Sequence, residues 1–226
     1  MLIIYDKILL EVVVMKEKIK IIKPKVSKYI DSITLTKDMI DDDIIDALIE
    51  SQDIDFDISD IEFNGCIFKN VDFSKCKFDN VNFLDCIFEH CDLSNKDFSN
   101  SSVHRVSFNK CNMTLTNFIN SGISDVTIDE SKCSYINFAS SSIKHFEISN
   151  SVINEGRFID IDGRDFHFEN CDFTESEFFD ISLDGVDFSN SIINDIKINN
   201  KDVKGMIVNP NQGVMLLSLL GVEIKD

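Results

Sequence analysis

From Ile58 to Val203, every fifth residue is apolar: of the 30 positions in this series, only Gly163 breaks it. The series opens Ile58, Phe63, Phe68, Phe73, Phe78, Phe83, Phe88 and closes Phe188, Ile193, Ile198, Val203, with no insertion or deletion between. Fifteen of the chain's 19 phenylalanines lie on it. Neither the helical period of 3.6 nor the strand period of 2 produces an unbroken period of five. A flat strand cannot send every fifth residue inward, because five is odd and the pleat alternates. A chain that turns a corner every five residues can. Four such sides close a coil of 20 residues, and coils stacked at about 4.8 Å place each inward residue on the one 20 positions away. The run from 58 to 203 then makes about seven coils, a rod roughly 34 Å long. A sandwich of short strands would need turns rich in glycine and proline, and this chain has eight Gly and two Pro.

A second series runs two residues ahead of the first. It holds Cys66, Val71, Cys76, Val81, Cys86, Cys91, Val106, Cys111, Ser121 and Val126, and continues with mostly small or β-branched residues through Val186. The other three positions of each five are mostly Asp, Asn, Ser, Lys and Glu. Six of the seven cysteines sit in this second series, and Cys133 sits in the first, so all are expected in the core as reduced thiols. Cys66/Cys86 and Cys91/Cys111 are one coil apart, but parallel inward side chains keep their Cβ atoms too far apart for easy bridging. His90, His104, His145 and His167 fall on outward positions, away from the thiols, so no Cys/His metal site is expected.

The five-residue unit, as in CDFTE, VDFSN or VNFLD, resembles the pentapeptide-repeat family over residues 58–208. The tail NPNQGVMLLSLLGVEI looks like the C-terminal dimerisation segment of the Qnr-type quinolone-resistance branch, and residues 101–118 look like Qnr-type proteins of Gram-positive bacteria. The resemblance implies an all-β solenoid, a right-handed quadrilateral parallel β-helix. It also implies a homodimer that binds DNA gyrase and topoisomerase IV, mimics DNA in shape and charge, and reduces fluoroquinolone action. Gram-negative Qnr-type proteins carry two loop insertions that contribute to protection, and the repeat here has none.

The organisation expected is an upstream extension over 1–14, with Met15 as the natural start, or else a short extra strand there. An N-terminal arm and cap follow over 15–57, then the β-helix over 58–208, then a capping and dimerisation segment of helix and strand over 209–226. A stack of coils leaves an apolar end that needs covering. At the N-terminal end a helix over Thr36–Glu50 is predicted, with Ile44, Ile45, Leu48 and Ile49 on one face and Asp41–Asp43 near its start. At the other end Asn209 is a good N-cap, Pro210 suits the first helical position, Gln212 completes a capping box and Gly221 ends the helix. Val214, Met215, Leu216, Leu217, Leu219 and Leu220 surround that helix, so one face covers the last coil and the other pairs with a second copy. The alternative is a fuller cap on a monomer.

The net charge of −18 argues against direct binding to nucleic acid. It is unevenly placed: residues 58–123 hold 8 acids and 6 bases, residues 124–195 hold 16 acids and 4 bases. The acidic partner surface is placed at Asp160, Asp162, Asp165, Glu169, Asp172, Glu175, Glu177, Asp180, Asp184 and Asp187. The bland reading of that charge is solubility of a thin rod. Ile119, Ala139, Ile159 and Phe179, one coil apart, should form an apolar stripe that packs an N-terminal arm or a partner. No catalytic residues, cofactor or metal are expected. A set of His104, Ser124 and Asp125 can be drawn on adjoining coils, but it would lie on a convex surface without a pocket. Residues 1–14 are too short to span a bilayer, so a cytoplasmic protein is expected. The function read from these features is a topoisomerase-binding DNA mimic. The alternative is a general interaction scaffold with another partner.

Overall fold

The computed structural model describes residues 20–219 and 221–223. They form a parallel β-solenoid of about eight turns closed by one C-terminal helix. Strands pair in parallel with the same place in the next coil: Phe108 lies beside Ile128, Ile128 beside Ile148, and Ile148 beside Phe168. Of the 30 positions in the period-five series, 27 are buried, and only Gly163, Ile198 and Val203 are partly open.

Corners explain the polar residues. From Asp60 onward, every non-glycine residue with positive φ stands two places after an inward one, at Asp60, Asn70, Asn80, Asp85, His90 and so on to Asp195. Short Asp and Asn side chains tolerate the left-handed region better than other L-residues, which accounts for their enrichment at that place. Four corners in each turn make the coil four-sided.

The phenylalanines stack down the rod. Ring centroids one coil apart lie 4.6 Å apart for Phe68–Phe88, 5.0 Å for Phe88–Phe108 and 4.9 Å for Phe98–Phe118. Rings on adjoining sides meet edge to face, as in Phe63–Phe68 at 5.1 Å and 79°. Fully burying each such side chain contributes about 1.5–3 kcal/mol. The second series has a polar task besides filling space. Cys86 and Cys171 point Sγ at the carbonyl oxygens of Phe63 (3.2 Å) and Ile148 (3.3 Å). Thr116, Ser141 and Ser176 donate to the equivalent carbonyls of Leu93, Phe118 and Ile153 at 2.9, 2.6 and 2.8 Å. All seven cysteines are free and buried. Burial pushes the Cys76 thiol up to about 12 and Cys171 to about 11, so neither is a ready nucleophile.

Gly163 is explained by its neighbour. A Cβ there would meet Phe166 Cζ at 2.6 Å and the Ile143 carbonyl oxygen at 2.9 Å. Phe166 occupies a second-series place usually held by a small residue, and its ring fills the room that Gly163 leaves.

The N-terminal end differs from expectation. Thr36–Glu50 is not a helix: Lys37–Met39 makes a single 3-10 turn, and Ile44–Ile45 and Ala47–Glu50 are strands. Ile44 pairs with Phe63 and Ile49 with Phe68, one place short of the regular step. Ile44, Ile49 and Ile54 are buried, whereas Ile45 is exposed. The regular coil therefore extends N-terminal of Ile58, one residue out of frame. The spacings 44/45 and 48/49 imitate a helical stripe, but coil-to-coil bonds decide the structure: Asp46 N–H donates to the Asn64 carbonyl (2.9 Å) and Ser51 N–H to that of Lys69 (2.8 Å). Buried Leu35 lies at this end of the core, and Ile33, Met39 and Ile40 pack against that core.

At the other end the capping box forms. Gln212 N–H donates to Asn209 Oδ1 (3.0 Å), and Asn209 N–H to Gln212 Oε1 (2.8 Å). The Gln212 amide also donates to the carbonyls of Phe188 and Ser191 (2.9 and 2.7 Å), bolting the helix to the last coil. Gly221, at φ 74°, ends the helix with its N–H donating to the Ser218 carbonyl (3.0 Å).

Candidate interaction surfaces

The helix Pro210–Leu219 turns Met215 and Leu216 onto the core, beside Ile198, Met206 and Val208. Val214, Leu217 and Leu219 are left exposed. Of the six residues expected at a dimer contact, two therefore cover the coil and three are open to a partner. Leu220 lies outside the described residues, as do residues 1–14 and Met15.

The ten acids of the expected partner surface all reach solvent at least partly, but they ring the coil instead of forming one patch. Asp162, Asp165 and Asp184 occupy one side, Glu169 and Asp187 the next, Asp172 and Glu175 the third, and Asp160, Glu177 and Asp180 the fourth. Some of this charge is locally matched. Glu177 takes Lys197 Nζ at 2.9 Å and Arg157 Nε at 3.3 Å, and the Lys197 hydrogen bond holds its carboxyl below the usual range. Lys201 pairs with Asp180. Asp165 is 3.6 Å from both His145 Nε2 and Arg164 Nε.

Ile119, Ala139, Ile159 and Phe179 do stack one coil apart, each half-buried, with Ile159 paired to Phe179. Among the described residues, the start of the arm packs elsewhere. Residues 20–25 lie against the corner that carries Asp85 and Asp125 and the side that begins after it, two sides away from the stripe.

That corner has its own chemistry. Asp85, Arg105, Asp125, His145 and Asp165 follow one another one coil apart, so acid and base alternate up one edge. Arg105 clasps Asp85 with two bonds of 2.6 Å, Nε to Oδ1 and Nη2 to Oδ2. Lys25 N–H donates to Asp85 Oδ1 at 2.8 Å, and Ile22 N–H to Asp125 Oδ1 at 3.0 Å. His145 Nδ1 is 3.2 Å from Asp125 Oδ1. Side-chain exposure is 9% for Asp85 and 6% for Asp125, so these carboxylates depend on their partners. Burial pushes the Asp85 carboxyl up, but the Arg105 fork and the Lys25 N–H outweigh it, and the net direction is below the ordinary 3.8. A depressed folded value means that the stabilisation is complete above the ordinary value and is lost as the pH falls through the lower, folded one. Protection of the Lys25 amide should therefore persist at pH 5 and collapse only below 3.8; loss already at pH 5, followed by hydrogen exchange, would contradict this.

The sequence pattern pointed to neither this edge nor Lys96. Lys96 occupies a second-series place, is 4% exposed, and donates to the Cys76 and Ser74 carbonyls, 20 and 22 residues back, where the Cys, Ser and Thr residues reach the carbonyl 23 back. The spacing of 20 between Asp85 and Arg105 was the available signal, readable only once a coil length is assumed.

His104, Ser124 and Asp125 do not assemble for catalysis. His104 Nδ1 meets Ser124 Oγ, but its Nε2 faces the Arg105 guanidinium, while Asp125 is turned to Ile22 and His145. The surface there is not convex as expected: Ser102, Gly122 and Ser142 are small enough to leave a shallow trough of about 500 Å³ beside His104, Ser124 and Lys144. Among the described residues, no group of three or more His, Cys, Asp or Glu is placed to hold a metal ion. No helix among them is long and apolar enough to cross a membrane.

Comparison with known families agrees with this geometry. A profile described as "Pentapeptide repeats (9 copies)" matches residues 58–95, and one described as "Pentapeptide repeat region" matches residues 81–158. Residues 58–158 of this chain are pentapeptide repeats. No curated protein matches the chain. Among solved structures similar to this chain is a trypsin-treated variant of QnrB1, described as a plasmid-mediated fluoroquinolone resistance protein. It is 20% identical, with 82% of this chain and 99% of that one covered and a TM-score of 0.46. Full-length QnrB1 is also 20% identical over 80% of this chain and 99% of its own, with a TM-score of 0.38. HetL, a pentapeptide-repeat protein involved in heterocyst differentiation regulation from the cyanobacterium Nostoc, is 10% identical over 73% of this chain and 86% of its own, with a TM-score of 0.27.

Proposed function

We propose that this protein acts in the cytoplasm as a homodimer that occupies the DNA-binding groove of DNA gyrase and topoisomerase IV and protects them from fluoroquinolones. The observation that carries this reading is the layout of charge along a narrow rod. Residues 124–195 hold 16 acids against 4 bases, and the exposed apolar face of the C-terminal helix lies beyond that end. Two copies joined through Val214, Leu217 and Leu219 would bring their acidic halves to the centre of a doubled rod. Acids on all four sides suit a groove that surrounds a duplex better than a flat contact does, because a positive cleft focuses its field on whatever lies inside. The role is that of a binding protein, for which no catalytic group is required.

The test is gyrase supercoiling with a fluoroquinolone, with and without the protein. Restored supercoiling, or inhibition at higher dose, is the expected result. No effect on gyrase or topoisomerase IV from the cognate host would remove the reading. The dimer is tested separately. Val214→Glu with Leu217→Glu should weaken self-association by about 100-fold or more, in line with the loss of a few central contact residues, with unchanged circular dichroism. An unchanged sedimentation coefficient in the variant would contradict it.

A second reading, an interaction scaffold for another partner, is favoured by the half-buried stripe Ile119, Ala139, Ile159 and Phe179, which no described segment covers. A pull-down partner unrelated to topoisomerases, lost with Phe179→Ser, would support it over the first.

A further inference from the structure

The edge formed by Asp85, Arg105, Asp125, His145 and Asp165 matches an extended peptide in its spacing. Its acids recur every second coil, about 9.6 Å apart at the usual interstrand distance. Three residues of extended chain span about 10 Å. Ile22 and Lys25 are three residues apart, and their N–H groups meet Asp125 and Asp85. The arm therefore runs along the rod, towards its N-terminal end, in register with alternate coils. Pro24, between the two donors, has no N–H to satisfy and favours an extended chain. The arm shares a cavity of about 370 Å³ with the side that follows the corner: Ile21, Lys23 and Pro24 face Thr127, Asp129 and Glu147 across it.

Two features make this contact a receptor for a class of segment. It is held by backbone donors, so the side chains at the donor positions are free to vary. It is also shallow: Lys20, Ile22, Lys23 and Lys25 remain exposed, and Lys23 lines the same cavity as Asp129 and Glu147. A segment held so lightly, by groups that read only extended backbone and positive charge, is one that can leave.

We propose that this edge is a docking rail for an extended, lysine-bearing peptide segment, and that residues 20–25 are its exchangeable resident. The rail admits any segment with N–H groups at two positions three apart and lysines around them. The resident arm competes with any such segment from another protein, at the high effective concentration of an attached ligand. The rail does not depend on the topoisomerase reading.

The test uses the full chain and a fluorescent peptide of residues 20–28. In the Ile22→Pro, Lys25→Pro variant both arm donors are removed and every rail residue is kept. The peptide should bind this variant about tenfold or more tighter than the wild type, where the attached arm competes. The same peptide with proline at both donor positions should not bind, and neither should the native peptide bind the variant with Asp125→Ala added. In the wild type the Ile22 and Lys25 amides should exchange more slowly than those of Lys20 and Lys23. Equal binding to wild type and variant, no binding to either, equal binding of the proline peptide, or unprotected Ile22 and Lys25 amides would each overturn the proposal. Equal binding of a scrambled peptide of the same composition would reduce the contact to non-specific attraction of a polycation, and would overturn it too.

Discussion

Phe88→Ala is expected to lower the unfolding free energy by about 3–5 kcal/mol, read from the urea midpoint at constant slope. Phe88 is fully buried, stacked 4.6 Å from Phe68 and 5.0 Å from Phe108, with Phe83 edge-on at 5.3 Å. Its removal leaves a ring-sized void between rings that are held by the backbone pairing of their own coils: Phe68 is paired with Phe88, and Phe88 with Phe108. The void cannot collapse without breaking that pairing, which places the loss high in the range known for such substitutions. In a solenoid each coil touches only its neighbours, so the damage also uncouples the coils on either side. Against a typical total of about 5–15 kcal/mol, one ring is a large share. Glu89, the next residue, points outward, and Glu89→Ala should change stability by no more than about 0.5 kcal/mol. Similar losses for the two variants would mean that the inward series is not the core.

The period of five was legible because its cause acts on every residue alike: each corner has the same backbone, each inward place the same surroundings. The capping box of Asn209 and Gln212 was legible for a local reason, since both partners lie within one helical turn. The start of the solenoid was not. Ile44, Ile49 and Ile54 keep the period, but the step from Ile54 to Ile58 is four residues, and a scan locked to Ile58 passes over them. Which of the ten expected acids face the same way follows from their place within the 20-residue turn and not from a count along the rod, so the charge excess of residues 124–195 did not itself define a face. Val214, Leu217 and Leu219 could be separated from Met215 and Leu216 only once the helix was docked. The arm had no periodic signal at all. Its place is set by Asp85 and Asp125, which look like any other corner aspartates until their partners are seen.

A four-sided coil repeats with the step from Phe108 to Ile128 to Ile148, and a pair of internal deletions puts that repeat to the test. Removing residues 121–140 joins Asn120 to Ser141 and deletes one whole coil: Phe118 is then followed by Ile143 in frame, and Ile128 of the β-ladder is replaced by its paired neighbour Ile148. Removing residues 121–138 deletes two residues fewer, yet it carries Ile143, Ile148 and every later inward residue to the left-handed corners, where bulky apolar side chains are strained and wet. Urea unfolding followed by circular dichroism is the measurement. The predicted result is a single cooperative transition for the whole-coil deletion, and a lost or strongly weakened one for the shorter deletion. Equal stability of the two shortened chains would contradict the square coil.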